Sequence, residues 1–174
     1  YARTTQHTAH AMSLTIARND LARLLSSTVR VVESRNTIPI LAMVKLVAGK
    51  GKLVVTATDL DIEITSSAAN DGKISVCVAA TMLDSIVKKL PAGAEISLAT
   101  DGDNLIVKSG RSRFVLQTLP VADFPAFTAK GFAASFSLDL AGLMAPVKFA
   151  ISTEETRYYL NGVFVHADGD SLVA

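Results

Sequence analysis

The feature that most constrains this chain is a repeat of about 60 residues in its pattern of apolar positions. The first copy opens with Ser13-Leu14-Thr15-Ile16, whose alternation is that of a half-buried strand. Asn19 or Asp20 is then placed to cap a helix carrying Leu21, Leu24, Leu25, Val29 and Val32 along one stripe. A polar loop, Ser34 to Pro39, follows, and then three strand-like runs over residues 40–48, 52–58 and 61–68, with Gly49-Lys50-Gly51 as a turn. The same order returns. Ile74, Val76 and Val78 alternate, and a helix bears Met82, Leu83, Ile86 and Leu90 before Pro91-Ala92-Gly93 stops it. Strands are expected over 95–100, 105–109 and 113–119, joined by turns at Asp101-Gly102-Asp103-Asn104 and Ser109-Gly110-Arg111-Ser112. The spacing sets Leu14 against Ile74 and Ile16 against Val76, 60 positions on.

A third copy begins after a Pro- and Gly-containing stretch. Phe136 and Leu138 match Leu14 and Ile16, and Leu143, Val147 and Ile151 match Leu21, Leu25 and Val29, all 122 positions on. A strand is expected over 162–166, a turn at Asp168-Gly169-Asp170 and another strand from Leu172. The unit is β-α-β-β-β, and the expected class is α+β, with paired helices on one side and antiparallel sheets on the other. The expected organisation is an irregular leader over 1–11, a first domain of two units over 12–121, a linker over 122–133 and the start of a second domain over 134–174.

Composition narrows the function. With 49% hydrophobic residues and a mean hydropathy of +0.37 there is ample material for a core. Seventeen Lys+Arg against 16 Asp+Glu give a net charge of +1, far from that of a protein that holds nucleic acid by bulk charge. The charges are nonetheless sorted. Arg23 and Arg30 lie two turns apart on the first helix, Lys88 and Lys89 end the second, and Lys148 falls on the third. Most acids, among them Asp59, Asp61, Glu63, Asp71, Glu95, Asp101 and Asp103, fall on strands and turns. A basic helical surface of this kind suits phosphates rather than base edges; ordinary solvated faces give the same pattern.

Other chemistry finds little support. Cys77 is the one cysteine, which excludes an internal disulfide, and its apolar run reads as a buried structural thiol in a reducing cytosol. His7 and His10 have metal-like spacing but sit in the unpatterned leader. Asp59, Asp61 and Glu63 on one strand face offer oxygen ligands for a divalent cation, although an alternating strand gives that pattern without a metal. No phosphate-binding G-x-x-x-x-G-K-[ST] loop is present. No apolar run approaches the roughly 20 residues of a membrane helix.

Five stretches, in order, resemble the bacterial DNA polymerase sliding clamp family, the beta subunit of DNA polymerase III. They are Arg35-Asn36-Thr37-Ile38-Pro39-Ile40-Leu41, Ala57-Thr58-Asp59-Leu60-Asp61-Ile62-Glu63, Leu90-Pro91-Ala92-Gly93-Ala94-Glu95-Ile96, Ser109-Gly110-Arg111-Ser112-Arg113-Phe114 through Leu119-Pro120-Val121-Ala122-Asp123-Phe124-Pro125, and Arg157-Tyr158-Tyr159-Leu160-Asn161-Gly162. The resemblance implies a cytoplasmic, ring-shaped homodimer with helices lining a hole for duplex DNA. It implies no catalysis and no cofactor. The expected partners are the replicative polymerase, an ATP-driven loader and other clamp-binding replication and repair proteins, and no membrane. It assigns DNA contact to Arg35, Tyr158, Tyr159, Arg23 and Lys88, one wall of a partner-peptide cleft to Leu160, and the subunit interface to an edge strand with Phe114 and Leu116. Thr81 and Glu154 depart from residues that contact DNA in other members, so those contacts are not carried over. The alternative is a protein-interaction repeat module with no DNA role.

Overall fold

The computed structural model describes residues 12–32, 37–126, 137–169 and 171–174. It divides into two compact units, residues 1–128 and 129–174.

In the first unit the order is β1 (Ser13–Ala17), α1 (Arg18–Thr28), β2 (Met43–Gly49), β3 (Lys52–Thr58), β4 (Glu63–Ala69), β5 (Ile74–Ala79), α2 (Ala80–Lys89), β6 (Glu95–Asp101), β7 (Asn104–Ser109) and β8 (Ser112–Leu119). This is β-α-β-β-β twice. All eight strands form one antiparallel sheet, ordered β1-β6-β7-β8-β5-β2-β3-β4. The first strand of each repeat therefore makes its main pairing with the other repeat. β1 pairs with β6 of the second, with Leu14 opposite Leu98 and Ile16 opposite Ile96. β5 pairs with β2 of the first, with Val76 opposite Leu46 and Val78 opposite Val44. These registers, and helix starts at Arg18 and Ala80, equate Leu14 with Val76 and Ile16 with Val78, a shift of 62. The expected 60 is thus corrected by one period-2 step: β5 has three alternating inward positions where β1 has two, and the strand alone does not say which two match.

Alternation does what the sequence pattern requires. Leu14 and Ile16 of β1, Val44, Leu46 and Ala48 of β2, and Leu105 and Val107 of β7 point inward. The helices close this core with Leu21, Leu24 and Leu25 from α1 and Leu83 and Val87 from α2, all fully buried. The two-residue turn at Lys50 and Gly51 has positive φ at both positions (54° and 78°), the turn geometry that matches strand twist. The two ends of the sheet order approach each other. Just past β4, Asn70 donates through Nδ2 to the Thr15 carbonyl at 2.7 Å, and Lys73 donates its N–H to the Ser13 carbonyl at 3.1 Å. Gly72 sits so close to Leu14 that a Cβ would strike its backbone, so the seam needs glycine there.

Several expectations need correction. Pro39–Ala42 is a short 3-10 turn, so β2 begins at Met43 rather than at 40. α1 has no side-chain cap: Ala17 runs directly from strand to helix, and the Arg18 N–H is satisfied by the Ala94 carbonyl at 2.8 Å. β4 begins at Glu63, so Asp59, Asp61 and Glu63 do not share a strand face. The Asp59 carboxylate instead accepts from the Asp61 and Ile62 N–H groups and fixes the turn.

The second unit contains α3 (Leu140–Met144), capped by Asp139, and a hairpin of β9 (His166–Asp168) and β10 (Ser171–Val173). Leu138 lies in no strand, and the strand expected over 162–166 starts only at His166. The helix expected to run from Leu143 to Ile151 gives way after Met144 to turns, with a 3-10 turn at Lys148–Ala150. Phe136 lies outside the described residues.

Candidate nucleic-acid interface

α1 and α2 pack side by side. Arg18, at the start of α1, donates from Nε to the Val87 carbonyl at 3.0 Å and from Nη2 to the Lys88 carbonyl at 2.9 Å. The start of one helix is thus tied to the end of the other, and the guanidinium satisfies carbonyls that a helix C-terminus leaves open. The apolar stripes face the sheet, so the opposite sides form one exposed helical layer. On α1 this layer carries Arg23 and Ser26, and the 3-10 turn Val29–Val31 that follows adds Arg30 one turn further on. On α2 it carries Thr81, Ser85, Lys88 and Lys89. Ser26, Val29 and Arg30 share a cleft with Asp84 and Lys88, which puts the bases of both helices on one surface.

Each of the two expected helical DNA contacts has an acid beside it. Arg23 Nη2 lies 3.5 Å from Asp20 Oδ1, with both side chains more than half exposed. Lys88 Nζ lies 2.6 Å from Asp84 Oδ2, and here the carboxylate is almost wholly buried, with 10% of its side chain exposed. The first pair is a solvated i,i+3 contact that contributes little. The second is held in place by the core around it. Asp84 Oδ1 is buried and has no hydrogen-bond partner.

Arg35 lies outside the described residues. Tyr158 and Tyr159 lie in the 3-10 segment Glu155–Leu160, which is kinked at Arg157. Their rings meet edge to face, 5.9 Å between centroids, and are 78% and 70% exposed. Arg157 Nε pairs with Glu154 Oε2 at 2.9 Å, so the acid at that position has a base beside it. Leu160 is exposed and lines a shallow apolar cleft with Ala150, Tyr159, Val163 and Phe164, all within the second unit.

Phe114 and Leu116 turn into the core of their own unit, Leu116 buried and Phe114 packed against it. β8 is also not an edge strand in the sheet order, which corrects the expectation. Its pairing with β5 covers only Thr118 and Leu119, however, so Ser112 to Gln117 are bonded on the β7 side alone. The apolar side chain on the outer face there is Val115, half exposed, sharing a groove with Met43, Ala79 and Met82. Phe114 and Leu116, which the resemblance assigns to the interface, alternate with Val115 along this strand and occupy its inner face.

Cys77 is buried, and its thiol is pushed up to about 11 by burial first, with Asp123 adding and Lys45 opposing. It is a packed thiol rather than a nucleophile. Among the described residues no three His, Cys, Asp or Glu side chains come together as a metal site, and no helix is long and apolar enough to cross a membrane.

A duplicated β-α-β-β-β domain, its two helices adjacent on one surface of a continuous antiparallel sheet, defines a DNA-clamp type of domain. The family described as DNA polymerase III beta subunit, N-terminal domain, matches residues 12–128, and the chain belongs to it. The beta sliding clamp of Caulobacter vibrioides is 46% identical over 162 residues, covering 89% of this chain and 44% of that protein. That of Vibrio cholerae is 35% identical, covering 92% and 46%. Among solved structures, a DnaN sliding clamp from Bartonella birtlesii bound to griselimycin superposes with a TM-score of 0.87 at 42% identity, over 94% of this chain and 45% of that one. The beta sliding clamp of C. crescentus gives 0.86 at 43% identity, over 93% and 46%. The chain thus spans less than half the length of the relatives it matches.

Proposed function

We propose that this chain forms the N-terminal part of a sliding clamp: a ring of two identical subunits that encircles duplex DNA, tethers the replicative polymerase and does no chemistry itself. One observation carries the reading. Two pseudo-equivalent repeats place their helices together, with Arg23, Arg30, Lys88 and Lys89 on the exposed side, while most acids stay on strands and turns. A surface with a few bases, exposed to solvent, suits weak phosphate contact. Weak contact is what a ring requires if closure, not affinity, retains it, because each phosphate is then exchanged for the next at little cost. In this reading Tyr158, Tyr159 and Arg35 also contact DNA. Leu160 serves partner peptides, including those of a loader and polymerase. The half-paired β8, which carries Phe114 and Leu116 on one face and Val115 on the other, serves the subunit contact, since an open strand edge seeks another chain.

Two measurements test this. A protein carrying this sequence at the length of its relatives, loaded on nicked circular DNA, is expected to stay bound and to run off once the DNA is cut; equal retention on both forms overturns the ring. For the present chain, binding to a short labelled duplex is expected to weaken with salt and to be indifferent to base sequence. Arg23→Ala is expected to lower the slope of log K against log salt by about 0.9, one phosphate contact. An unchanged slope removes Arg23 from the interface.

A further inference from the structure

Lys88 is the one base of the helical layer that is held by a buried acid. Resting on the clamp reading above, we propose that Asp84 is a built-in competitor for phosphate, a positioning residue that holds the Lys88 ammonium back from DNA and so keeps the grip of the channel loose. Four observations support it. The Asp84–Lys88 contact is short, 2.6 Å, and Lys88 remains 60% exposed, so its ammonium is within reach of a phosphate while already neutralised. Asp84 lies on the buried side of α2 together with Ala80, Leu83 and Val87, so its carboxylate is less free to turn away than a solvated acid is. Its second oxygen, Oδ1, is buried and unpartnered, so Asp84 has an unmet need for a donor. Losing Lys88 to a phosphate would leave both oxygens unpaired, a cost that phosphate binding must overcome. Arg30 lines the same cleft from the α1 side and forms no ion pair among the described residues, so the single negative charge of Asp84 lies in a cleft that two bases line.

Asp20 beside Arg23 supplies an internal comparison. That pair is longer, 3.5 Å, and both partners are well exposed, so water and salt screen it and either side chain rotates away at little cost. Removing Asp20 is expected to change DNA binding less than removing Asp84.

The test is a double-mutant cycle on the present chain, read as the salt dependence of binding to a fluorescently labelled duplex of mixed sequence. Asp84→Leu and Asp84→Asn both delete the charge. The first also suits the apolar site, so at least one folded variant is expected, as checked by circular dichroism. Either is expected to steepen the log K against log salt slope by about 0.9 and to tighten binding about tenfold at 50 mM salt. Lys88→Ala alone is expected to change the slope little, and Lys88→Ala in the Asp84→Leu background to return it to the starting value. A slope unchanged by both Asp84 variants overturns the proposal, as does a steepening that survives Lys88→Ala. If the unmodified chain binds with no salt dependence and Arg23→Ala has no effect, the DNA reading itself falls, an outcome distinct from failure of the Asp84 arm alone.

Discussion

Residues 137–174 carry the opening of the apolar pattern that residues 12–126 carry twice, and the two regions reach different packing. In the first region two repeats exchange their leading strands, β1 onto β6 and β5 onto β2, and the helices close a core that includes twelve large side chains with under 2% exposure. In the second region none of the described residues is buried, and β9 and β10 pair only with each other. Phe149 and Phe164 are 89% and 79% exposed. The first region shows that a β-α-β-β-β repeat is completed by its neighbour. Its helix has one apolar stripe and its strands one apolar face, and both are covered only when another repeat supplies the missing strand and the second helix.

That comparison can be tested by substitutions with effects of decreasing size. Leu83→Ala, at the centre of the first core, is expected to cost about 2–5 kcal/mol in urea unfolding, as a buried leucine does when its cavity cannot collapse. Arg18→Ala removes two hydrogen bonds from the end of α2 and is expected to cost about 1–2 kcal/mol, because it unties the two repeats without opening a cavity. Phe149→Ala in the second region is expected to stay within about 0.5 kcal/mol in the same assay. A loss there as large as that at Leu83 would mean that the second region has a core of its own in solution.

Much of the first region was legible from local pattern. Period-2 alternation marked Leu14 and Ile16, the helical stripe marked Leu21, Leu24 and Leu25, and Gly51 and Gly110 marked turns whose φ is indeed positive. The basic residues of α1 and α2 were legible as well, because acids rarely interrupt those faces. Their companions were harder to read. Asp84 is an i,i+4 neighbour of Lys88, which sequence shows, but its depth depends on how α2 seats on the sheet. Leu138 and Val165 kept the expected apolar identities without the expected strands, since alternation produces a strand only where a neighbour accepts its hydrogen bonds.

By itself, the sequence determined the elements, their order and their duplication, because each rests on contacts within one helix turn, one strand or one hairpin. Tertiary structure alone decided that the leading strands trade places, that the matching shift is 62 rather than 60, that β8 is half paired, and that Arg18 ties α1 to the end of α2. Those outcomes join residues from 26 positions apart, as Ala48 with Ile74, to 86 apart, as Ser13 with Ala99. Local periodicity states which face of an element is apolar, and only packing of the assembled faces states what covers it.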